Sequence, residues 1–179
     1  LAESSPYGIG LVQADQISDA NTANMSVCIT DSGYDGDHED LVPYTSSLIS
    51  GDDDNGTGGD TGDWWEPGHS HGTHVAGTIG ALGSNGTGVV GVNPSGLLNV
   101  HNVKIFDNEG TWAYGSDLIV AIDQCRSAGA NIISMSIGGG DVSVTEEAAF
   151  VAFIDAGGMN IAAAGNDGNN VRSYPAGYE

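Results

Sequence analysis

The chain has 179 residues, which is long enough for one domain with a sizeable buried core, and 39% of them are hydrophobic, which excludes a disordered protein. Its 24 acidic residues stand against 3 basic ones, so the formal net charge is −21. A surface this acidic excludes binding to nucleic acid or to anionic membranes and favours cations.

Strand and helix patterns alternate along the chain. In order, the sequence predicts a short helix within 6–18, a strand at 25–30, a weaker strand at 44–50, an acidic loop at 51–63, a helix from 71 to about 82, a glycine-rich loop at 83–91, a strand at 98–106, a helix at 115–127, a strand at 131–137, a helix at 144–156 and a strand at 159–164. This alternation is typical of a parallel sheet covered by helices on both faces. We therefore expect one α/β domain over residues 1–179.

The sequence also bears on how the protein is processed and in which compartment it works. No stretch reaches the apolar length of a membrane span, and the start carries no signal-peptide pattern. Because the first residue is Leu1 rather than Met, we expect a longer precursor. Cys28 lies in a predicted strand and Cys125 in a predicted helix, so two buried thiols and one disulfide both remain open, with the disulfide favoured in a secreted protein.

The motif SHGTHVAGT predicts a helix that carries a reactive histidine. Ser70 is the predicted N-cap, and His71 lies in the first turn, where the helix dipole favours the neutral imidazole that a general base requires. Gly72, Ala76 and Gly77 are small enough to let other backbone approach the helix closely.

Three neighbouring histidines raise an alternative, a metal-dependent hydrolase. His69, His71 and His74 lie within six residues of one another. A zinc enzyme of the His-Glu-x-x-His type requires two histidines four apart with a glutamate between them, and this sequence has no such pattern. The metal hydrolase is therefore the weaker hypothesis.

Polar or glycine signals follow three of the predicted strands. Asp31 ends the first strand, Gly138 follows the strand at 131–137, and Asn166 follows the last strand. Because the carboxyl ends of parallel strands share one edge of a sheet, these residues are expected there together. An aspartate orients a histidine base, and an amide stabilises a developing oxyanion.

Four motifs in this order make the chain resemble the subtilisin-like serine proteases, the subtilase family. They are DSG at 31–33, HGTHVAGT at 71–78, SIGG at 136–139 and AAGN at 163–166. The resemblance implies a three-layer α/β/α fold and a secreted endopeptidase that hydrolyses peptide bonds in polypeptide substrates.

The resemblance also implies residue roles. Asp31 would orient His71, His71 would be the general base and then the general acid, and Asn166 would hold the tetrahedral oxyanion. His74 would be a packed structural residue. The substrate-binding residues would be Glu109, Gly110 and Thr111 on one edge of the cleft, Ser136, Ile137 and Gly138 on the opposite edge, and Ala163, Ala164 and Gly165 in the wall of the pocket for the residue before the scissile bond.

One part of the family pattern is absent from these 179 residues. The nucleophile motif, a Gly-Thr-Ser-Met-Ala type sequence, does not occur. We therefore expect the N-terminal portion of a protease domain, truncated before the catalytic serine and inactive alone, with the missing C-terminal portion as its partner. A non-catalytic calcium-binding module that retains the protease fold is a further alternative.

Calcium is the expected cofactor, because carboxylates, amides and backbone carbonyls supply the oxygen ligands it prefers. The resemblance implies a site at Glu3, Asp40, Gly83, Asn85, Thr87 and Val89. A second candidate is the acidic loop, with Asp52, Asp54, Asp60 and Asp63, for which a solvated loop without a cation is an equal alternative.

Overall fold

The computed structural model describes residues 2–53, 61–110 and 115–178. Its elements, in chain order, are α1 (Tyr7–Leu11), two 3-10 turns (Ala14–Gln16 and Thr22–Asn24), β1 (Ser26–Asp31), β2 (Ile49–Asp53), α2 (His71–Gly80), β3 (Asn99–Lys104), α3 (Gly115–Ser127), β4 (Ile132–Met135), α4 (Val144–Asp155) and β5 (Met159–Ala162). Among these described helices, none is both long enough and apolar enough to cross a membrane.

The five described strands form one parallel sheet in the order β2-β3-β1-β4-β5. Successive strand residues face opposite sides of a sheet, so each strand contributes to two cores. On one side, Cys28 and Ile133 pack with α3 and α4. On the other side, Val27 and Ile29 pack with Ala76 of α2. The prediction of a parallel α/β sheet with helices on both faces is confirmed.

A disulfide joins β1 to α3. The Cα atoms of Cys28 and Cys125 are 5.6 Å apart, and both residues are fully buried. The pairing settles the choice left open by the sequence. It closes a loop of 97 residues and fixes the strand that carries Asp31 against the helix layer.

The second strand lies later in the chain than the sequence predicts. Residues 44–48 form turns, whereas Gly51 and Asp53, predicted to lie in the acidic loop, pair with β3. Gly51 has Trp64 against it, and a Cβ added there would lie 2.4 Å from the indole Cδ2. The backbone N–H of Trp64 also donates to Asp53 Oδ1 at 2.7 Å. These tertiary contacts, which periodicity does not reveal, place the strand.

Helix α2 is held on β1 by a hydroxyl from outside the helix. Ser70 occupies the predicted N-cap position, but its side chain makes no capping hydrogen bond. Instead Ser32 Oγ accepts from the N–H of Gly72 at 2.9 Å and donates to the carbonyl of His69 at 2.9 Å. The first turn of α2 is therefore capped by the residue that follows Asp31.

The two helical glycines of the motif differ in what surrounds them. A Cβ added to Gly72 would lie 2.2 Å from the carbonyl oxygen of Gly33, so only glycine permits this approach of α2 to the end of β1. No atom of the described residues lies within 4 Å of the corresponding position at Gly77. The expected close approach holds at Gly72 and is wrong at Gly77.

Lys104, at the end of β3, is fully buried although it carries one of the few basic groups of the chain. Its Nζ donates to the carbonyl of Glu66 at 2.7 Å and to Asn108 Oδ1 at 2.8 Å, and it lies 3.5 Å from the carbonyl of Asp63. The ammonium group therefore joins the segment before α2 to the turn after β3.

The two glycines give a matched test of the α2 contact. Gly72→Ala is expected to lower the free energy of unfolding of this chain by about 1–3 kcal/mol, because the added methyl group collides with backbone. Gly77→Ala is expected to raise it by about 0.5–1 kcal/mol, because alanine is the better helix former. Urea unfolding measures both. Equal effects of the two substitutions would contradict the packing described for Gly72.

The disulfide is expected to stabilise the chain by about 2–5 kcal/mol, because it constrains a long loop in the unfolded state. The double variant Cys28→Ala/Cys125→Ala should unfold at lower urea concentration by the corresponding amount. Dithiothreitol should lower the midpoint of the parent chain and leave that of the double variant unchanged. A parent midpoint that reduction does not move would show that the two sulfurs are not bonded.

Candidate active site

Asp31 is fixed at the end of β1 with its carboxylate buried. The residue is 2% exposed, and its carbonyl accepts from the N–H of Ile105 at 2.9 Å. The N–H of Ser32 donates to Asp31 Oδ1 at 2.7 Å. Backbone pairing and this hydrogen bond leave the carboxylate little freedom to turn away from α2.

His71 meets that carboxylate from the first turn of α2. Its Nδ1 lies 2.8 Å from Asp31 Oδ1 and 3.0 Å from Oδ2. Because a carboxylate only accepts hydrogen bonds, Nδ1 carries the proton, and in the neutral ring Nε2 is the free acceptor. Nε2 has no hydrogen-bond partner within the described residues, and the side chain is 48% exposed. Asp31 therefore fixes the orientation of an imidazole ring that is about half exposed.

A cavity of about 370 Å³ opens beside this pair. Its walls bring together residues from four parts of the chain: Asp31, Ser32, His69, His71, Phe106, Gly110, Ser136, Ile137 and Gly138. The pair predicted to be catalytic therefore shares one cleft with Gly110 from one predicted substrate edge and with residues 136–138 from the other. Asn166 and residues 163–165 are not among the lining residues of this cavity.

The edge at 136–138 leaves the sheet where β4 ends. Ile137 is buried, Gly138 is exposed, and no backbone–backbone hydrogen bond joins this segment to other described residues. An extended chain can pair with such an edge. On the opposite side Glu109 is exposed and Gly110 adopts a φ of 77°, which favours glycine. Thr111 lies outside the described residues.

The segment 163–166 continues from β5 and is exposed throughout. The N–H of Ala163 donates to the carbonyl of Met135 at 3.0 Å, which aligns the start of this segment with the end of β4. Ser173 connects the two segments: its Oγ lies 2.7 Å from the position of a Cβ added to Gly138 and 3.7 Å from that of one added to Gly165. The structure thus places Ala163, Ala164 and Gly165 next to the 136–138 edge, with Asn166 exposed at their end.

The expected calcium residues of the first site come together around the loop at 83–89. Asp40 is 3% exposed, and its carboxylate accepts from Asn85 Nδ2 at 2.7 Å and from the N–H of Val89 at 2.8 Å. Glu3 Oε2 accepts from the N–H groups of Asn85 at 3.0 Å and of Gly86 at 3.3 Å. Two carboxylates therefore converge on one loop.

The expected oxygen ligands of this loop are only partly free. No backbone N–H of the described residues donates to the carbonyl oxygens of Gly83, Thr87 or Val89. Both carboxylate oxygens of Asp40, Oε2 of Glu3 and Oδ1 of Asn85 each accept an N–H hydrogen bond. The residue types are those that calcium prefers, but among the described residues no group of three or more acidic side chains is placed to hold a metal ion.

The acidic loop is only partly described. Asp54 and Asp60 lie outside the described residues. Asp52 belongs to β2, where its Oδ2 lies 3.2 Å from His101 Nε2. Burial lowers the pKa of His101, and Asp52 partly offsets that effect. Asp63 is exposed. The sheet therefore directs Asp52 towards a histidine.

The three histidines of the alternative metal hydrolase do not converge. His71 Nδ1 is bonded to Asp31, and His69 Nδ1 accepts from the N–H of His71 at 3.1 Å. His74 is exposed. Within the ranges the structure describes, no group of three or more His, Cys, Asp or Glu side chains is placed to hold a metal ion.

Sequence reasoning missed three residues that shape the site. Ser32 caps α2, Phe106 lines the cleft, and Ser173 packs between Gly138 and Gly165. The sequence did contain a signal for Ser32, because its hydroxyl directly follows the aspartate that ends the strand. Ser173 had none, because its role depends on how the tail at 171–178 returns to the sheet.

Comparison with known proteins gives a consistent result. A model described as the subtilase family matches residues 22–179. Subtilisin DY from Bacillus licheniformis is 35% identical over 185 residues, covering 99% of this chain and 62% of that protein. Thermitase from Thermoactinomyces vulgaris is 34% identical and covers 98% and 60%, respectively. This chain thus spans less than two thirds of the length of these relatives.

A solved structure agrees in fold. It is described as the crystal structure of the psychrophilic subtilisin-like protease Apa1 from the Antarctic psychrotroph Pseudoalteromonas sp. AS-11. The TM-score is 0.87 with 46% sequence identity, over 99% of this chain and 39% of the other. The family match covers far more than half of these residues, and the chain belongs to the subtilase family.

Proposed function

We propose that this chain supplies the acid and the base of a serine endopeptidase. The observation that carries the proposal is the 2.8 Å contact between His71 Nδ1 and Asp31 Oδ1, with His71 lining the cleft and its Nε2 without a hydrogen-bond partner among the described residues. Membership of the subtilase family supports this assignment. The nucleophile is a serine that these 179 residues do not supply.

The chemistry follows from the imidazole geometry. Nε2 of His71 accepts the proton of the serine hydroxyl as that oxygen attacks the scissile carbonyl, and the buried Asp31 carboxylate stabilises the resulting imidazolium ion. Asn166 donates its side-chain amide to the oxyanion of the tetrahedral intermediate. His71 then returns the proton to the leaving amine. Water hydrolyses the acyl-enzyme by the same proton transfers in reverse.

Polypeptide is the proposed substrate, because the cleft offers backbone edges rather than a closed pocket. In this proposal residues 136–138 pair with an extended substrate segment on one side, and residues 109–111 supply the opposite edge. Residues 163–165 are proposed to line the pocket for the side chain before the scissile bond.

Calcium is proposed to bind at Glu3, Asp40, Asn85 and the carbonyls of Gly83, Thr87 and Val89, with these residues ordering the loop that follows α2. The cation neutralises carboxylates in a chain whose net charge is −21. The convergence of the Asp40 and Glu3 carboxylates on the 83–89 loop supports this site. The acidic loop, with Asp52, Asp54, Asp60 and Asp63, is the second candidate, and a solvated loop without a cation is its equal alternative.

The setting proposed for the protein is extracellular. A disulfide between Cys28 and Cys125 is stable in an oxidising compartment, and calcium is abundant outside cells. The remainder of the protease domain is the proposed partner. A groove of about 920 Å³ along α1 and α2, and the exposed Met159 and Ile161 of the edge strand β5, offer the apolar surface for it.

His71→Ala in the full-length protease is expected to lower kcat/KM for a peptide anilide by at least ~10³-fold, because the base is lost. His74→Ala is the control. Under the triad mechanism this variant keeps the parent kcat per folded molecule, whereas a metal bound by histidines would require both His71 and His74. Asparagine donors of subtilisin oxyanion holes contribute about 10²–10³ in turnover, and a similar loss is expected for Asn166→Ala. Full activity of His71→Ala would show that the base is misassigned. Absence of both peptidase activity and fluorophosphonate labelling in the parent protein would favour the non-catalytic module.

Calcium is expected to raise the free energy of unfolding of this chain, measured by urea unfolding, by about 2.7 kcal/mol when its concentration is a hundred times the dissociation constant. Asp40→Asn should remove the difference between calcium and EDTA, since the variant loses a ligand charge at the 83–89 loop. Asp63→Asn, in the acidic loop, should keep that difference. The opposite pattern would place the site in the acidic loop, and no difference in the parent chain would reject calcium binding here.

A further inference from the structure

We propose that Glu146 and Tyr178 are positioning residues that hold the 136–138 edge and the adjoining pocket wall in register, and so set the preference for the residue before the scissile bond. This inference rests on the proposed endopeptidase function. It concerns two side chains that lie outside the cleft and that no motif of the sequence singled out.

The start of α4 carries an altered capping box. Ser143 and Glu146 have the Ser-x-x-Glu spacing, in which the serine hydroxyl accepts from the N–H three residues on and the glutamate bonds back to the N–H of the serine. The first bond is present, since the N–H of Glu146 donates to Ser143 Oγ at 3.4 Å. The second is replaced: the N–H of Ser143 donates to the hydroxyl oxygen of Tyr178 at 3.0 Å.

The tyrosine hydroxyl completes the box from a distant part of the chain. Tyr178 Oη accepts from the N–H of Ser143 at 3.0 Å, and the same hydroxyl interacts with the Glu146 carboxyl group, which lowers the pKa of that carboxyl against the larger effect of burial. Its ring centroid lies 5.7 Å from that of Phe150 in α4 and 4.8 Å from that of Tyr174. The tail at 171–178 is therefore anchored to α4 at this point.

The same tail supports the substrate edge. The N–H of Gly139 donates to the carbonyl of Tyr174 at 3.0 Å in an antiparallel bridge. Ser173 packs between the backbones of Gly138 and Gly165. A continuous set of contacts thus runs from Ser143 at the start of α4 through Tyr178 and Tyr174 to the segments at 136–139 and 163–165.

Stability alone is a poor explanation for Glu146. The side chain is 7% exposed, and burial raises the pKa of its carboxyl group. Tyr178 faces it as a hydrogen-bond partner, while the charges of Glu146 and Glu147 and burial raise the pKa of Tyr178. A buried carboxyl group opposes folding unless hydrogen bonds compensate it. Its use here is to fix the tyrosine hydroxyl in one position.

The test is a specificity ratio in the full-length protease. The ratio of kcat/KM for two peptide anilides, with phenylalanine or alanine before the scissile bond, does not depend on how much of the enzyme is folded. Tyr178→Phe removes only the hydroxyl and is expected to change this ratio by about threefold or more, as the loss of one positioning hydrogen bond would. Glu146→Leu is expected to act in the same way.

Two controls make the result specific. Glu146→Gln keeps an acceptor for the hydroxyl and is expected to leave the ratio within about twofold of the parent. Ser127→Ala removes a hydroxyl from an exposed residue at the end of α3 and should have no effect. If Tyr178→Phe fails to fold, Glu146→Leu, which leaves the ring in place, gives the same readout.

The outcomes separate this inference from the proposed function. An unchanged ratio in both Tyr178→Phe and Glu146→Leu, with His71→Ala inactive, would overturn the positioning role and leave the endopeptidase intact. Activity that survives in His71→Ala would overturn both. A ratio altered equally by Glu146→Gln and Glu146→Leu would also reject the hydrogen bond as the cause.

Discussion

The contact between the end of β1 and the first turn of α2 is the constraint on which the site depends. Asp31 is buried at the strand tip, His71 begins the helix, and their side chains meet at 2.8 Å. This distance requires the two backbones to approach closely, and they can do so because Gly72 has no Cβ atom that would collide with the carbonyl oxygen of Gly33. Ser32 then fixes the orientation by bonding to both sides of the helix start.

The rest of the sheet serves this contact by bringing distant segments to one edge. Parallel strands end on the same side, so the residues after β1, β3 and β4 share a cleft although they are far apart in sequence. The disulfide locks the central strand to the helix layer beneath it. A strand of the sheet thus positions the carboxylate of Asp31, whereas the surfaces proposed to bind substrate lie on loops.

Much of this could be predicted because it is local. The alternation of strands and helices predicts the parallel sheet, and α3 spans the residues expected of it. The positions of Asp31, His71 and Gly72 follow from motifs. Features that depend on partners distant in sequence could not be predicted: the cap of α2 comes from Ser32 rather than Ser70, and Trp64 draws Gly51 into a strand.

Through its buried ammonium group, Lys104 connects two segments that lie beside the cleft. Its ammonium group lies in the interior of a strongly acidic protein and is ligated by oxygen atoms of Glu66 and Asn108. One of these precedes the histidine helix, and the other lies in the turn that leads to Gly110. A single internal charge therefore fastens the segment that leads into the histidine helix to the turn that leads to Gly110, so neutralising Lys104 would release two neighbouring segments at once.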